Sequence, residues 1–375
     1  VSENLSGAGG LPEPQGVALC LSGGGYRAML FHVGALWRLN DAGWLGRLDF
    51  ISSVSGGSIT AGALGQRWQD LDFDSHQRAV NFPPTVVEPL RALARRTLDR
   101  GALLRGILGP GAGEAVAAAY RRHLVGEATL QDLPPHPRFV LTATNLHTGT
   151  LWRFSRPYMR DYRLGAIETP RLPLATAIAA SSAFPPFLSP LTLRLQQSAW
   201  THLATGEDER PVRPPREIAL SDGGVYDNLG LEPVIKRCHT ILVSDAGQRL
   251  RYTPRVACDW PRHVLRVLSV IDNQVRSLRK RSLITAYQEG DLRGAYWGIR
   301  SDLASYPLPE PLPVPDEAAH RLAEVPTRLA ALPDHLHEQL INWGYAVSDA
   351  ALRAHIDSTA QAPGAFPYPN AGWPR

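Results

Sequence analysis

Apolar positions along this chain alternate between short continuous runs and helical stripes. "GVALCLS" (16–22) is an apolar run of strand length, preceded by a Gly/Pro-rich lead and followed by three glycines. Beyond them Met29, Leu30, Val33, Leu36, Trp37 and Leu39 recur at helical spacing, and Gly43 supplies a stop. "LDFISSV" (48–54) is a second strand that runs directly into "SGGSITAGALG" (55–65), a helix of small residues. The order strand, glycine turn, helix, strand, serine turn, helix predicts a parallel sheet covered by helices.

The same pattern continues downstream. Residues 66–130 read as mainly helical, including the basic "RALARRTLDR" (91–100), and "RFVLTATNLHTGTLWRFS" (138–155) as two strands around a His-Thr-Gly turn. "PLATAIAASSAFPPFLSPL" (173–191) is a small-residue helix ended by prolines. "REIALSDGGVYDNLG" (216–230) gives a strand and a turn, "HTILVSDAG" (239–247) another buried strand, and 261–290 a basic helical region. Tyr306–Glu317 is a proline-rich, extended linker, followed by helical patterns to about His355 and a loose tail. No internal repeat is visible. Too little sequence follows the linker for an independent domain. The expected organisation is a main domain over 16–300, with 301–375 as linker and helical cover packed on it.

Composition narrows the class. The chain has 375 residues, 44% hydrophobic and 20% charged, as in ordinary globular proteins. A net charge of +4 is too mild to imply a nucleic-acid partner, though it permits weak attraction to an anionic membrane surface. Cys20, Cys238 and Cys258 show no metal-ligand spacing and cannot all pair within one chain, which fits a reducing compartment. No basic start with an apolar run marks a signal peptide, and the longest apolar candidate, Leu172–Leu191, is broken by four prolines. A cytoplasmic location is expected.

Candidate chemistry centres on three short segments. In "SVSGG" (53–57) Ser55 sits between a strand and a helix, where small neighbours relieve crowding and a helix N-terminus faces its oxygen. The bland reading is a helix cap. "LSGGGYRAM" (21–29) places Gly23, Gly24 and Gly25 on the preceding strand-to-helix turn, where bare N–H groups can line an anion site. For acyl transfer that anion is the tetrahedral oxyanion, and losing one donor raises the barrier by about 3 kcal/mol. A phosphate loop is the rival, but three consecutive glycines match neither nucleotide fingerprint. In "SDGGVYDN" (221–228) Asp222 follows a strand and precedes two glycines; Asp-Gly is also a common structural turn. As a base for a hydroxyl, a carboxylate needs a desolvated site.

Together "SGGGYRA", "SVSGG" and "DGG" resemble the patatin-like phospholipases, serine lipid acyl hydrolases whose motifs are D-G-G-G-x-[RK]-G, G-x-S-x-G and D-G-[GA]. "TATNLHTGTLWRF", "AIAASSAFPPFLSPL" and "DGGVYDNLGLEP" resemble bacterial members, and the likeness covers most of 16–300. The resemblance implies a three-layer α/β/α fold with a central, mostly parallel sheet. It implies Ser55 as nucleophile, Asp222 as general base, and N–H groups around Gly23, Gly24 and Gly25 as oxyanion hole. Gly56 would adjoin the nucleophile and Arg27 would support the loop. Ser22 departs from the family's acidic residue and Ser53 from its first serine-motif glycine. The implied activity is hydrolysis of phospholipids or other acyl esters, with no cofactor and no metal.

Two other readings stay open. One is an α/β-hydrolase triad of Ser55, Asp222 or Asp245, and His263, with His239 a second candidate; chain order weighs against it, because that fold places several strands before its nucleophile. The other is a non-catalytic scaffold that binds lipid or protein. "RSLRKRS" (276–282) adds a basic stretch, Arg276, Arg279, Lys280 and Arg281, interleaved with Val275, Leu278 and Leu283. It is either a transient contact for an anionic bilayer or a solvated face packed through its apolar side.

Overall fold

The computed structural model describes residues 15–98, 111–201, 214–308 and 310–374. The Gly/Pro-rich lead up to residue 14 and the end of the basic run 91–100 lie outside them. The first alternation forms as its pattern predicts: β1 (Val17–Leu21), α1 (Gly25–Asp41), β2 (Phe50–Val54) and α2 (Gly56–Gln66). Next come α3 (Glu88–Ala94), α4 (Ala112–Tyr120), β3 (Arg138–Asn145), β4 (Thr150–Phe154), β5 (Tyr158–Asp161), β6 (Gly165–Glu168), α5 (Leu174–Ser181) and β7 (Leu191–Arg194). The chain then forms β8 (Glu217–Asp222), α6 (Gly224–Asp227), β9 (Thr240–Asp245), α7 (Trp260–Glu289), β10 (Arg293–Gly298), α8 (Asp316–Ala323) and α9 (Asp334–His355).

The fold is α/β, a large, mostly parallel central sheet flanked by helices. Strands β10, β9, β1, β2 and β3 lie side by side and parallel, and the antiparallel pairings all involve β4 to β8. The buried apolar faces of β1 and β9 explain why both read as continuous apolar runs.

Two departures from the sequence pattern stand out. Helix within 66–130 is shorter than expected: residues 71–82 form a loop in which Asp74 accepts backbone N–H bonds from His76 and Arg78. Strands β5, β6, β7 and β10 have no clear sequence signal. Three of them are only four residues long, too short to display an alternation.

The position of the site follows from one feature of register. On one edge of β3, β2 pairs in parallel up to Val54 opposite Thr142, and β8 pairs antiparallel with Asp222 opposite Ala143. Strand β4 holds the other edge. The C-terminal ends of β2 and β8 therefore meet head to head, one residue apart along β3.

Candidate active site

Ser55 occupies the residue between β2 and α2, with φ +51° and ψ −117°. A non-glycine residue seldom adopts this left-handed φ, and here it turns the strand sharply into the helix. The glycines after it are required by contact. A Cβ on Gly56 would stand 2.3 Å from the Gly25 carbonyl oxygen, and one on Gly57 2.3 Å from that of Leu21.

The glycine loop packs against this turn because β1 and β2 are parallel neighbours. Gly24 and Gly25 take φ of +143° and +58°, which only glycine adopts at low cost. A Cβ on Gly23 would lie 3.1 Å from the Ser55 Cβ, so bare backbone approaches the serine directly. Among the described residues no acceptor meets the N–H groups of Gly24, Gly25 or Gly56. The Gly23 N–H, by contrast, donates to the Asn228 carbonyl at 3.2 Å and is not free.

Asp222 ends β8 and is 4% exposed. It accepts a hydrogen bond at 2.7 Å from the Gly224 N–H. Burial pushes its carboxyl up from 3.8 to about 7, and the Gly224 N–H and the neighbouring Ser55 side chain only partly offset the loss of water. Its own N–H donates to the Ala183 carbonyl at 2.9 Å, and its carbonyl accepts from Thr144 Oγ1 at 2.8 Å.

The end of α5 joins the two motifs. Ser181 Oγ accepts the Ser55 N–H at 2.9 Å and donates to Ser58 Oγ at 2.8 Å, and Ser58 in turn meets Ser53 Oγ at 2.9 Å. The Ser181 carbonyl accepts the Gly223 N–H at 3.2 Å. Ser53 thus takes part in a buried hydroxyl chain. Ser22 has an equally local role: its Oγ accepts the Ala246 N–H at 2.8 Å, and its carbonyl accepts the Gly57 N–H at 3.1 Å.

Beneath the loop lies His32, fully buried, with Nε2 2.9 Å from the Ser22 carbonyl and Nδ1 2.8 Å from Ser244 Oγ. A carbonyl only accepts, so Nε2 carries the proton and Nδ1 accepts from the Ser244 hydroxyl. Burial lowers its pKa to about 4, which keeps the ring neutral. The Trp297 indole N–H donates to the same Ser244 oxygen at 3.0 Å. Arg27 is also fully buried and donates to the carbonyls of Ala246, Ala323 and Val325, tying the loop to the C-terminal segment. Desolvation lowers its pKa to about 10, and it remains a cation at neutral pH.

The histidines of the triad reading lie elsewhere. His239 precedes β9 at the end of the sheet opposite Ser55, and His263 is exposed near the start of α7. Asp245 lies at the same sheet end as Ser55 but is committed to Tyr296 Oη at 2.7 Å and the Gly247 N–H at 2.8 Å. Among the described residues no group of three or more His, Cys, Asp or Glu side chains is placed to hold a metal, and no helix is long and apolar enough to cross a membrane.

The basic stretch on α7 is only partly a solvated face. Arg279 pairs with Glu232 at 3.2 Å and lies 3.7 Å from Asp227, and Lys280 Nζ is 4.1 Å from the centre of the Tyr296 ring. The Arg276 guanidinium covers Gly247, so close that a Cβ there would meet its Nη1 at 2.2 Å. Arg276, Arg279 and Lys280 thus touch the domain, and Arg281 is exposed.

Sequence motifs identified Ser55, Asp222 and the glycines. They did not identify Ser181, Ser58, His32 or Asn228, whose contacts join distant parts of the chain. The small residues of "AASSAF" were the visible trace of Ser181.

Comparison with known proteins places this geometry in a family. The model of the patatin-like phospholipases matches residues 19–235. No curated protein sequence matches the chain. Human GIVD cytosolic phospholipase A2 is similar in structure with a TM-score of 0.54 at 14% identity, over 91% of this chain and 59% of that one. A second structure of that protein, in complex with methyl gamma-linolenyl fluorophosphonate, gives a TM-score of 0.50 at 16% identity, over 89% and 57%. The chain therefore spans under two thirds of the length of the human chain. With its glycine loop, serine turn and Asp-Gly-Gly motif all inside the matched segment, the chain belongs to the patatin-like phospholipase family.

Proposed function

We propose that the protein hydrolyses acyl esters of lipids through a Ser55–Asp222 dyad. The observation that carries the reading is the register on β3: it ends β2 and β8 against each other, so that Ser55, at a strained turn, follows one strand end and Asp222, a buried aspartate, closes the other. Asp222 takes the hydroxyl proton as Ser55 Oγ attacks the acyl carbonyl carbon. The carbonyl π electrons move to oxygen, and the N–H groups of Gly24, Gly25 and Gly56 with the α2 N-terminus stabilise that oxyanion. Collapse of the tetrahedral intermediate breaks the C–O bond to the alcohol, which takes the proton from Asp222. Water then repeats the sequence on the acyl-serine, with Asp222 again as base, and releases the fatty acid.

A carboxylate with an ordinary pKa would be too weak a base to take the serine proton, and burial eases that difficulty. Gly23 shapes the loop while its N–H remains on Asn228. Arg27 locks the loop from beneath. No step uses a metal or cofactor.

Purified protein should cleave p-nitrophenyl acyl esters in the presence of chelator. Ser55→Ala should remove turnover by a factor of about 10⁴ or more, since the residual rate would come from binding and the oxyanion donors alone. A fluorophosphonate, the reagent class held by the human relative, should label wild type and not Ser55→Ala. Labelling without ester turnover would leave the serine activated but the substrate class wrong. No labelling would favour the scaffold reading.

A further inference from the structure

Helix α7 is built the wrong way round for a soluble protein. Its apolar residues Trp260, Val264, Val267, Leu268, Ile271 and Leu278 follow a 4-3-1-3-7 spacing that puts them on one stripe. All six are exposed, Trp260 by 77% and Ile271 by 53%. The opposite side carries Arg276, Arg279 and Lys280 into contacts with the domain, and Leu283 is its one fully buried residue. An apolar stripe of this length, roughly 27 Å at the helical rise, is larger than scattered surface residues account for and marks an interaction surface.

We propose that this stripe docks on a lipid bilayer and delivers the active site to the membrane surface. The choice of partner rests on the lipid-hydrolase reading, and two observations support it. First, the helix that carries the stripe lies beside the turn that follows Asp222. Arg279 of α7 reaches Tyr226, four residues after Asp222: its guanidinium carbon stands 5.6 Å from the ring centre and its Nη2 donates to the Tyr226 carbonyl at 3.5 Å. Exposed Val225 follows the Asp222-Gly223-Gly224 turn, and exposed Phe184 and Phe187 follow the Ala183 carbonyl that holds the Asp222 N–H. Second, the chemistry is interfacial, with a tryptophan at one end of an apolar stripe and exposed Arg249, Arg255 and Arg262 on the approach to the helix.

A second copy of the chain fits less well. Away from the residues that contact the domain the helix still carries Arg262, Arg266 and Arg281 against Asp272 and Glu289, so a paired copy would bring like charges together. Apolar insertion also differs from the electrostatic contact expected from "RSLRKRS", because it survives salt.

The test is co-sedimentation with phosphatidylcholine vesicles, with and without phosphatidylglycerol, at low and high salt. Val267→Asp/Ile271→Asp changes two exposed positions, and circular dichroism checks the fold. Wild type should bind in high salt, and the double variant should bind at least about tenfold more weakly while hydrolysing a soluble ester at the wild-type rate. A fluorescent probe on Ile271→Cys, in a Cys258→Ser background, should shift to the blue with vesicles. Equal binding of the variant, or an unmoved probe, overturns the proposal. So does a dimer seen by light scattering that the variant dissolves, without vesicle binding; that result gives the stripe to a second copy. Stripe-dependent vesicle binding without ester turnover would instead sink the hydrolase reading and leave the docking surface standing.

Discussion

At the scale of single residues, the behaviour of the site depends on how deeply Asp222 is buried. With its carboxyl near 7, the base is half ionised at neutral pH, and kcat/KM should rise with pH through about 7 before levelling. A profile flat from pH 5 to 9 would mean that another group takes the proton. Asp222→Asn keeps an acceptor for the Gly224 N–H but cannot take a proton, so turnover should fall by a factor of about 10³ or more. The same burial has a stability signature. The folded state binds the Asp222 proton more tightly than the unfolded chain, so this group's contribution is complete below pH 3.8 and is lost as pH rises through about 7. Asp222→Asn should therefore melt higher than wild type at pH 8 and lose that advantage at low pH, with a ceiling of about 4 kcal/mol. The proposed reacting residues could be picked out in the sequence because each stands in a short motif that a tight turn imposes. The value near 7 was not, because it depends on what covers the carboxylate.

At the scale of elements, the proposed dyad rests on two strands ending against each other on β3 and on α5 spanning the junction. Sequence gave access to both strands and to α5 through their apolar runs and prolines, yet no local pattern shows that β2 and β8 meet. Likewise, the amphipathic period of α7 was readable, but which face it turns inward depends on Asp227, Glu232, Asp245 and Tyr296, all distant in sequence. The hydroxyl chain at the end of α5 makes the next prediction. Ser181→Ala removes the acceptor of the Ser55 N–H and leaves that buried donor unpaired, a cost of about 1–3 kcal/mol borne at the strained turn. Turnover number should fall about tenfold with KM nearly unchanged, and Ser181→Thr, which keeps the hydroxyl, should recover part of it. A matched loss of kcat in both variants would assign Ser181 to packing alone.

At the scale of the whole molecule, the C-terminal segment is part of what holds the glycine loop. Helices α1 and α9 cross so closely that a Cβ on Gly34 would stand 1.9 Å from the Ile341 carbonyl oxygen, and one on Gly344 2.0 Å from that of Phe31. Arg38 of α1 and Asp349 of α9 form a buried pair at 2.8 Å across the same contact. Helix α1 begins at the glycine loop, and Arg27 in its first turn binds carbonyls at 323 and 325, so displacing α9 or its approach displaces the glycine loop. In an exposed helix Gly→Ala gains about 1 kcal/mol from propensity. Here the new methyl meets backbone that cannot retreat without separating the two helices, and overpacking of this kind costs about 3 kcal/mol or more. The clash decides the sign. Gly344→Ala should lower the melting temperature by several degrees and reduce ester turnover in step, although residue 344 belongs to a helix that supplies no reacting group. We propose that 16–300 and 301–375 unfold together, and a single calorimetric transition shifted as a whole by Gly344→Ala would bear that out. Two transitions, with only the lower one moved and turnover retained between them, would separate the segment from the catalytic unit.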